Sequence, residues 1–280
     1  MESFELKKSF CSCIAMLLFS TLLTALALAE DAAPVMKLHS DGRITLSDGR
    51  PLSEYSADAE TEAAFIERSL TDKAKYDDYG YEAGYTYYGF CETARRLKQK
   101  HEELAQCSVA EVASLVWFAE FGYQTCGDLL WAGELPRDMD FKLQVSALNR
   151  LPAFRGKVYR LDFYTEAGGE DFETKVMKRM EIYQQHLENE TPFVFRGFLS
   201  STRGKSEEMQ EAFEKKGSLI LEIESKSGVS IEKLSSRPYE QEVLFLPGTA
   251  FSVEDITVQP APVTRGNPLG KTYRVYLTEM

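Results

Sequence analysis

Residues 218–256, SLILEIESKSGVSIEKLSSRPYEQEVLFLPGTAFSVEDI, decide how the chain is to be read. Three runs within them, Ser218–Glu224, Glu242–Leu246 and Ala250–Ile256, are rich in β-branched and aromatic residues and are separated by Gly, Ser and Pro, the pattern of strands joined over short distances. Working outward, VYRLDFY (158–164), FVFRGFLSS (193–201) and TYRVYLT (272–278) have the same character, so at least six strands are expected after Gly156. Helical spacing interrupts them at 171–188, where Val176, Met177, Met180 and Tyr183 share a face, and again at 206–216. Before Gly156 the balance is reversed. Residues 57–75 and 90–106 are rich in Ala, Glu, Lys and Leu, and Ser108 can cap a helix whose Glu111 reaches back to it. A further helix over 141–149 is stopped by Pro152. Helices first and strands afterwards predict an α+β fold rather than an alternating parallel sheet.

The 280 residues carry 32 Lys+Arg against 44 Asp+Glu, a formal charge of -12. Such a chain lacks the overall attraction that draws proteins onto phosphate backbones, so no nucleic-acid partner is expected. Its three histidines are far apart and its five cysteines form no paired C-x-x-C knuckles, so no metal site is expected. There is no Rossmann fingerprint and no P-loop. At the N-terminus, Lys7 and Lys8 precede an apolar run from Ile14 to Leu28 and a small-x-small site at Ala27-Leu28-Ala29, which predicts a signal peptide over 1–29. The competing reading is an uncleaved membrane anchor. Cleavage predicts a secreted, periplasmic or extracellular protein with no stable membrane insertion. It leaves Cys91, Cys107 and Cys126, enough for one disulfide and one thiol or for three buried thiols. Residues 30–105 read as a helical, tyrosine-rich extension, and the cluster from Tyr76 to Tyr88 as either a recognition surface or an aromatic layer over a core.

Polar residues on otherwise apolar strands need an explanation, and three groups stand out: Arg160 in VYRLDFY, Ser200-Ser201-Thr202, and Glu240-Gln241-Glu242. If the last is extended, Glu240 and Glu242 project to one side, about 7 Å apart, and Gln241 to the other. Two carboxylates then face one space.

Taken in order, these groups resemble the arginine-specific mono-ADP-ribosyltransferases of the secreted-toxin and ecto-enzyme type, defined by an Arg, a Ser-Thr-Ser-like segment and an E-x-E pair. The resemblance runs from about Ser108 to the C-terminus through LNRLPAFRGKVYR, GFLSST, EQEVLFLPGTAFSV and TYRVYLTEM. It implies a split β-sandwich with helices packed at its N-terminal side, a catalytic region over 106–280, and NAD+ as co-substrate in a cleft between facing sheets. It also implies transfer of ADP-ribose to an exposed arginine of a protein partner. By this resemblance Glu242 stabilises the oxocarbenium-like state and holds a ribose hydroxyl, Arg160 pairs with the phosphates, and Ser200 positions Glu242 or the ribose. Glu240 receives the target guanidinium, Leu161 and Ser201 line the nucleotide, and Arg203 contacts phosphate. Phe213 and Tyr239 are candidates to stack on nicotinamide. The chain departs from the usual pattern with Arg160-Leu161 in place of Arg-Gly and Ser-Ser-Thr in place of Ser-Thr-Ser. Two other outcomes remain open: an NAD+ glycohydrolase, in which water replaces the guanidinium, and a catalytically silent relative acting as a binding module.

Overall fold

The computed structural model describes residues 36–73, 86–122, 129–136, 138–163, 172–204 and 206–280. The expected leader over 1–29, Cys126, and Tyr76 to Tyr85 lie outside the described residues. Residues 36–280 form one compact unit.

The described residues open with an antiparallel hairpin, β1 (Met36–Leu38) and β2 (Ile44–Leu46), turned at Asp41-Gly42. Four longer helices follow among the described residues: α1 (Ala59–Thr71), α2 (Tyr87–Lys100), α3 (Val109–Trp117) and α4 (Met139–Arg150). The cap expected at Ser108 is present in both directions, since the Glu111 amide donates to Ser108 Oγ at 3.1 Å and the Ser108 amide to Glu111 Oε2 at 2.7 Å. Asp138 caps α4 by accepting the Phe141 amide, so that helix begins two residues earlier than its apolar spacing suggests. Buried Phe65, Phe90, Leu115, Leu143 and Leu148 join the four helices into one core. Tyr87, the described end of the tyrosine cluster, packs edge-on against Phe65 and donates to Asp140 Oδ2 at 2.8 Å, so here the aromatic closes a core. Cys91 and Cys107 are buried free thiols, and burial pushes Cys107 up to about 11.

The second half is a mixed sheet of eight strands: β3 (Gly156–Phe163), β4 (Phe193–Phe195), β5 (Leu199–Thr202), β6 (Leu219–Ser225), β7 (Val229–Ser230), β8 (Glu242–Phe245), β9 (Thr249–Pro260) and β10 (Lys271–Glu279). Their order is β4-β9-β10-β6-β3-β5-β8-β7, and β10 runs parallel to β6 while the other pairs are antiparallel. Between β3 and β5 the ladder narrows to the single pair Tyr159↔Thr202. The sheet therefore has two parts, β4-β9-β10-β6-β3 and β5-β8-β7, that meet at one point, in keeping with the split fold the resemblance implies. FVFRGFLSS, expected as one strand, divides into β4 and β5 around Arg196-Gly197-Phe198. Two helices, α5 (Phe172–Glu188) and α6 (Glu207–Lys216), lie between strands in sequence. Val176, Met180 and Tyr183 of α5 enter a second core with Phe193, Leu221, Phe245, Phe251 and Val275.

Strand alternation assigns the faces of β8. Val243 and Phe245 belong to the core beneath α5, whereas Leu244 joins the helical core with Val229, Ile231 and Leu234. Glu242 shares the face of Leu244 one step nearer the strand's beginning, where that face borders a cavity also lined by Phe118 and Ala119. That step sets the position of the site.

Candidate active site

Strand β5 lies antiparallel to β8 with Ser200 opposite Leu244 and Thr202 opposite Glu242. Ser200 and Glu242 are thus diagonal neighbours on one face, close enough for side chains to meet. Ser200 Oγ donates to Glu242 Oε1 at 2.6 Å. Ser201 points the other way, is buried, and commits its hydroxyl to the Val243 carbonyl at 2.8 Å. Its side chain is a structural clamp between β5 and β8.

The extended reading of Glu240-Gln241-Glu242 is corrected by the structure. Arg237-Pro238 opens a 3-10 turn over Pro238–Glu240, and Gln241 closes it in the left-handed region at φ 48 and ψ 46. Only at Glu242 does the strand begin. A non-glycine residue at positive φ is costly and persists only where its surroundings fix it. Here the turn is tied to β5 by Thr202 Oγ1, which donates to the Glu240 carbonyl, and by the Arg203 amide, which donates to the Gln241 carbonyl at 3.2 Å. Alternation therefore does not bring the two carboxylates together. Both still line a single cavity of about 360 Å³, Glu242 from the strand and Glu240 from the turn.

Arg160 and Leu161 of β3 and Ser200 and Ser201 of β5 line the same cavity. Opposite them stand Phe118 and Ala119, at the point where α3 loosens into a π-helical turn over Phe118–Gly122. Such turns recur at functional sites because they re-aim side chains within a helix. The Arg160 guanidinium is held by its Nη1, which donates to the Ser200 carbonyl at 2.7 Å, and by the ring of Phe195 at 5.4 Å. The same peptide segment thus fixes Arg160 through its backbone and Glu242 through its hydroxyl.

Arg203 is not among these groups. It lines a neighbouring cavity of about 650 Å³ together with Arg155, Lys157 and Tyr159, and its guanidinium is paired with Glu232. Phe213 packs edge-on against Tyr159, which borders both cavities, and Tyr239 is exposed on the turn. Two neighbours escaped the sequence reading. Arg237 lines the site with its Nη1 3.6 Å from Glu240 Oε1. Asp162, two residues beyond Arg160, is 4% exposed and sits 3.5 Å from Arg160 Nε.

The two carboxylates differ in environment, which allows them different roles. Burial raises Glu242 to about 7; the Ser200 hydrogen bond works against that shift, the negative charge of Glu240 adds to it, and the Arg160 charge opposes it. Glu240 is about a third exposed at the rim. A carboxylate of adjustable charge, oriented by a hydroxyl and flanked by a guanidinium, is suited to stabilising positive charge that develops on a sugar carbon.

Residues 146–268 match the family model of the ADP-ribosyltransferase exoenzymes, a stretch from α4 to β9 and the loop beyond that contains Arg160, Ser200, Glu240 and Glu242. Among the solved structures that share the fold, two align over most of this chain. The type III effector XopAI of Xanthomonas axonopodis pv. citri aligns with a TM-score of 0.56 at 20% identity, over 81% of this chain and 91% of that one. The ADP-ribosyltransferase HopU1 of Pseudomonas syringae pv. Tomato aligns with a TM-score of 0.58 at 16% identity, over 81% of this chain and 99% of that one. No curated protein sequence matches. The architecture is that of the ADP-ribosyltransferase toxins. The matched segment is similar to the ADP-ribosyltransferase exoenzymes, a family whose members use NAD+ as substrate.

Proposed function

We propose that the protein transfers ADP-ribose from NAD+ to an arginine of a protein substrate, releasing nicotinamide. The single observation that carries the reading is the convergence of Arg160, Ser200, Glu240 and Glu242 on one cavity, with Ser200 Oγ 2.6 Å from Glu242. Arg160 offers a fork of donors suited to the dinucleotide's phosphates. Leu161 borders the space beside it. Ser200 orients Glu242, whose carboxylate stabilises the ribose as the bond to nicotinamide breaks. Glu240, on the rim, accepts the incoming guanidinium, and its present neighbour there is itself a guanidinium, that of Arg237. Carboxylate at this position matches arginine as acceptor in charge and geometry. Arg203 lines the basic cavity beside the site, and in this reading any contact of Arg203 with phosphate belongs to the far end of the dinucleotide. Export of the chain, by the leader over 1–29, belongs to the same proposal.

Incubating the protein with labelled NAD+ and a mixture of proteins, then mapping the modified residues, tests the assignment. Label on arginine is expected. Label on asparagine, cysteine or glutamate removes the role given to Glu240, and free ADP-ribose with no labelled protein identifies a glycohydrolase.

The raised pKa of Glu242 predicts a pH profile. Stabilisation of a cationic ribose requires the ionised carboxylate, so kcat/KM for NAD+ should rise about tenfold per pH unit on the acid side and level off above about 7. Ser200→Ala removes the hydrogen bond that favours the charged form and should move the limb to higher pH. Nicotinamide release measured across this range checks both. A limb at the ordinary carboxylate value of 4.5 contradicts the environment described for Glu242.

A further inference from the structure

Behind the cavity, Asp162 occupies an irregular step of β3. The β3–β6 pairing runs Arg160↔Leu221, Leu161↔Ile220 and then Phe163↔Leu219, so the register shifts at Asp162. A bulge of this kind re-aims a side chain and is over-represented beside functional sites. The carboxylate it aims is buried and fully engaged. Its Oδ2 accepts Arg179 Nε at 2.8 Å and the Tyr183 hydroxyl at 2.9 Å, and its Oδ1 faces Arg160 Nε at 3.5 Å. Arg179 is further confined by the rings of Tyr183 at 5.2 Å and Phe193 at 5.4 Å. Burial alone would push Asp162 upward, but the charges of Arg179 and Arg160 and the hydrogen bonds outweigh it and hold the carboxyl below its usual range.

A buried ion pair is weak support for stability, because desolvation consumes most of the attraction. Arg179 and Tyr183, both on the α5 helix, would already satisfy Asp162 if its purpose were to seal the core. The second oxygen instead faces Arg160, one of the two arginines that line the cavity. Arg160 has five N–H donors, and its contacts with Asp162 Oδ1 and the Ser200 carbonyl fix the plane of the fork and leave the rest of it toward the space beside Glu242. We propose that Asp162 is a positioning residue for the dinucleotide: anchored to α5 by Arg179 and Tyr183, it holds the Arg160 guanidinium in the plane that receives the phosphates of NAD+. This rests on the reading of Arg160 as the phosphate-binding group.

The test is a double-mutant cycle in the full chain, with kcat and KM for NAD+ read from nicotinamide release. Asp162→Asn should raise KM about tenfold and change kcat less than about threefold, since a misplaced Arg160 weakens binding of ground and transition states alike. Arg160→Ala should raise KM at least as far, and in its background Asp162→Asn should add less than about twofold. Multiplying effects, or an unchanged KM in Asp162→Asn while Arg160→Ala weakens binding, overturns the positioning role and leaves the phosphate role standing. A normal KM in Arg160→Ala overturns the phosphate role itself. If Asp162→Asn does not fold because Arg179 is left buried without its counter-charge, Asp162→Asn/Arg179→Gln removes both charges and is read by the same criteria.

Discussion

Glu242→Gln should lower nicotinamide release from NAD+ by roughly a thousandfold or more, equivalent to about 4 kcal/mol of lost transition-state stabilisation. The substitution keeps the shape and leaves an oxygen that can still accept from Ser200 Oγ, so the site remains assembled and only the charge is lost. KM for NAD+ should change little, because the carboxylate acts on charge that appears only as the glycosidic bond breaks. The same variant should be more stable than the wild type at neutral and alkaline pH. Glu242 titrates near 7 in the folded chain against 4.5 for an unperturbed glutamate. As pH rises from 4.5 the unfolded chain gives up this proton first, so stability falls through the interval and is lowest above about 7. The glutamine variant is spared that loss, which by this shift amounts to at most about 3 kcal/mol. Activity lost together with stability gained is the signature of a carboxylate placed for chemistry at the expense of the fold. A variant that loses both, or neither, contradicts this view of Glu242. Thermal unfolding at about pH 5 and 8 beside the rate measurement distinguishes the cases.

Glu240→Gln should separate two reactions. Removal of the rim charge leaves Arg160, Ser200 and Glu242 in place, so cleavage of NAD+ by water should stay within a few-fold of the wild type. Modification of arginine should fall by about a hundredfold or more, the usual cost of removing one partner of a charged recognition pair. The same change takes away one of the influences that raise Glu242, so the acid limb of the pH profile should move to lower pH. Equal loss of hydrolysis and transfer would mean that the two carboxylates do not divide the work between them.

Much of the fold was legible in local pattern. Alternating branched and aromatic residues marked β6, β8, β9 and β10, and Ser108 with Glu111 marked the start of α3, because these elements follow from short-range chemistry. The gathering of Arg160, Ser200 and Glu242 followed from motif order. The path of the chain between Arg237 and Glu242 did not. Pro238 was the available signal, since it fixes its own φ near the helical value and suits the first position of a turn. Once Gln241 takes a left-handed conformation, alternation ceases to predict where Glu240 points. Arg203, to which the resemblance gives a phosphate contact, pairs with Glu232 beside a different cavity, next to the turn at Gly204. Asp162 was visible as a second polar residue two positions beyond Arg160 on an apolar strand. Its partners Arg179 and Tyr183 come from a helix beyond the strand's end, and no spacing rule reaches them.

In the proposed reaction one cavity holds an NAD+ ribose and an arginine guanidinium side by side. Incubation of the protein with NAD+ and agmatine, followed by mass analysis, tests it most directly. ADP-ribosylated agmatine should form in step with nicotinamide, and its formation should be abolished in Glu242→Gln. Intact NAD+, or ADP-ribose without an agmatine adduct, would contradict it.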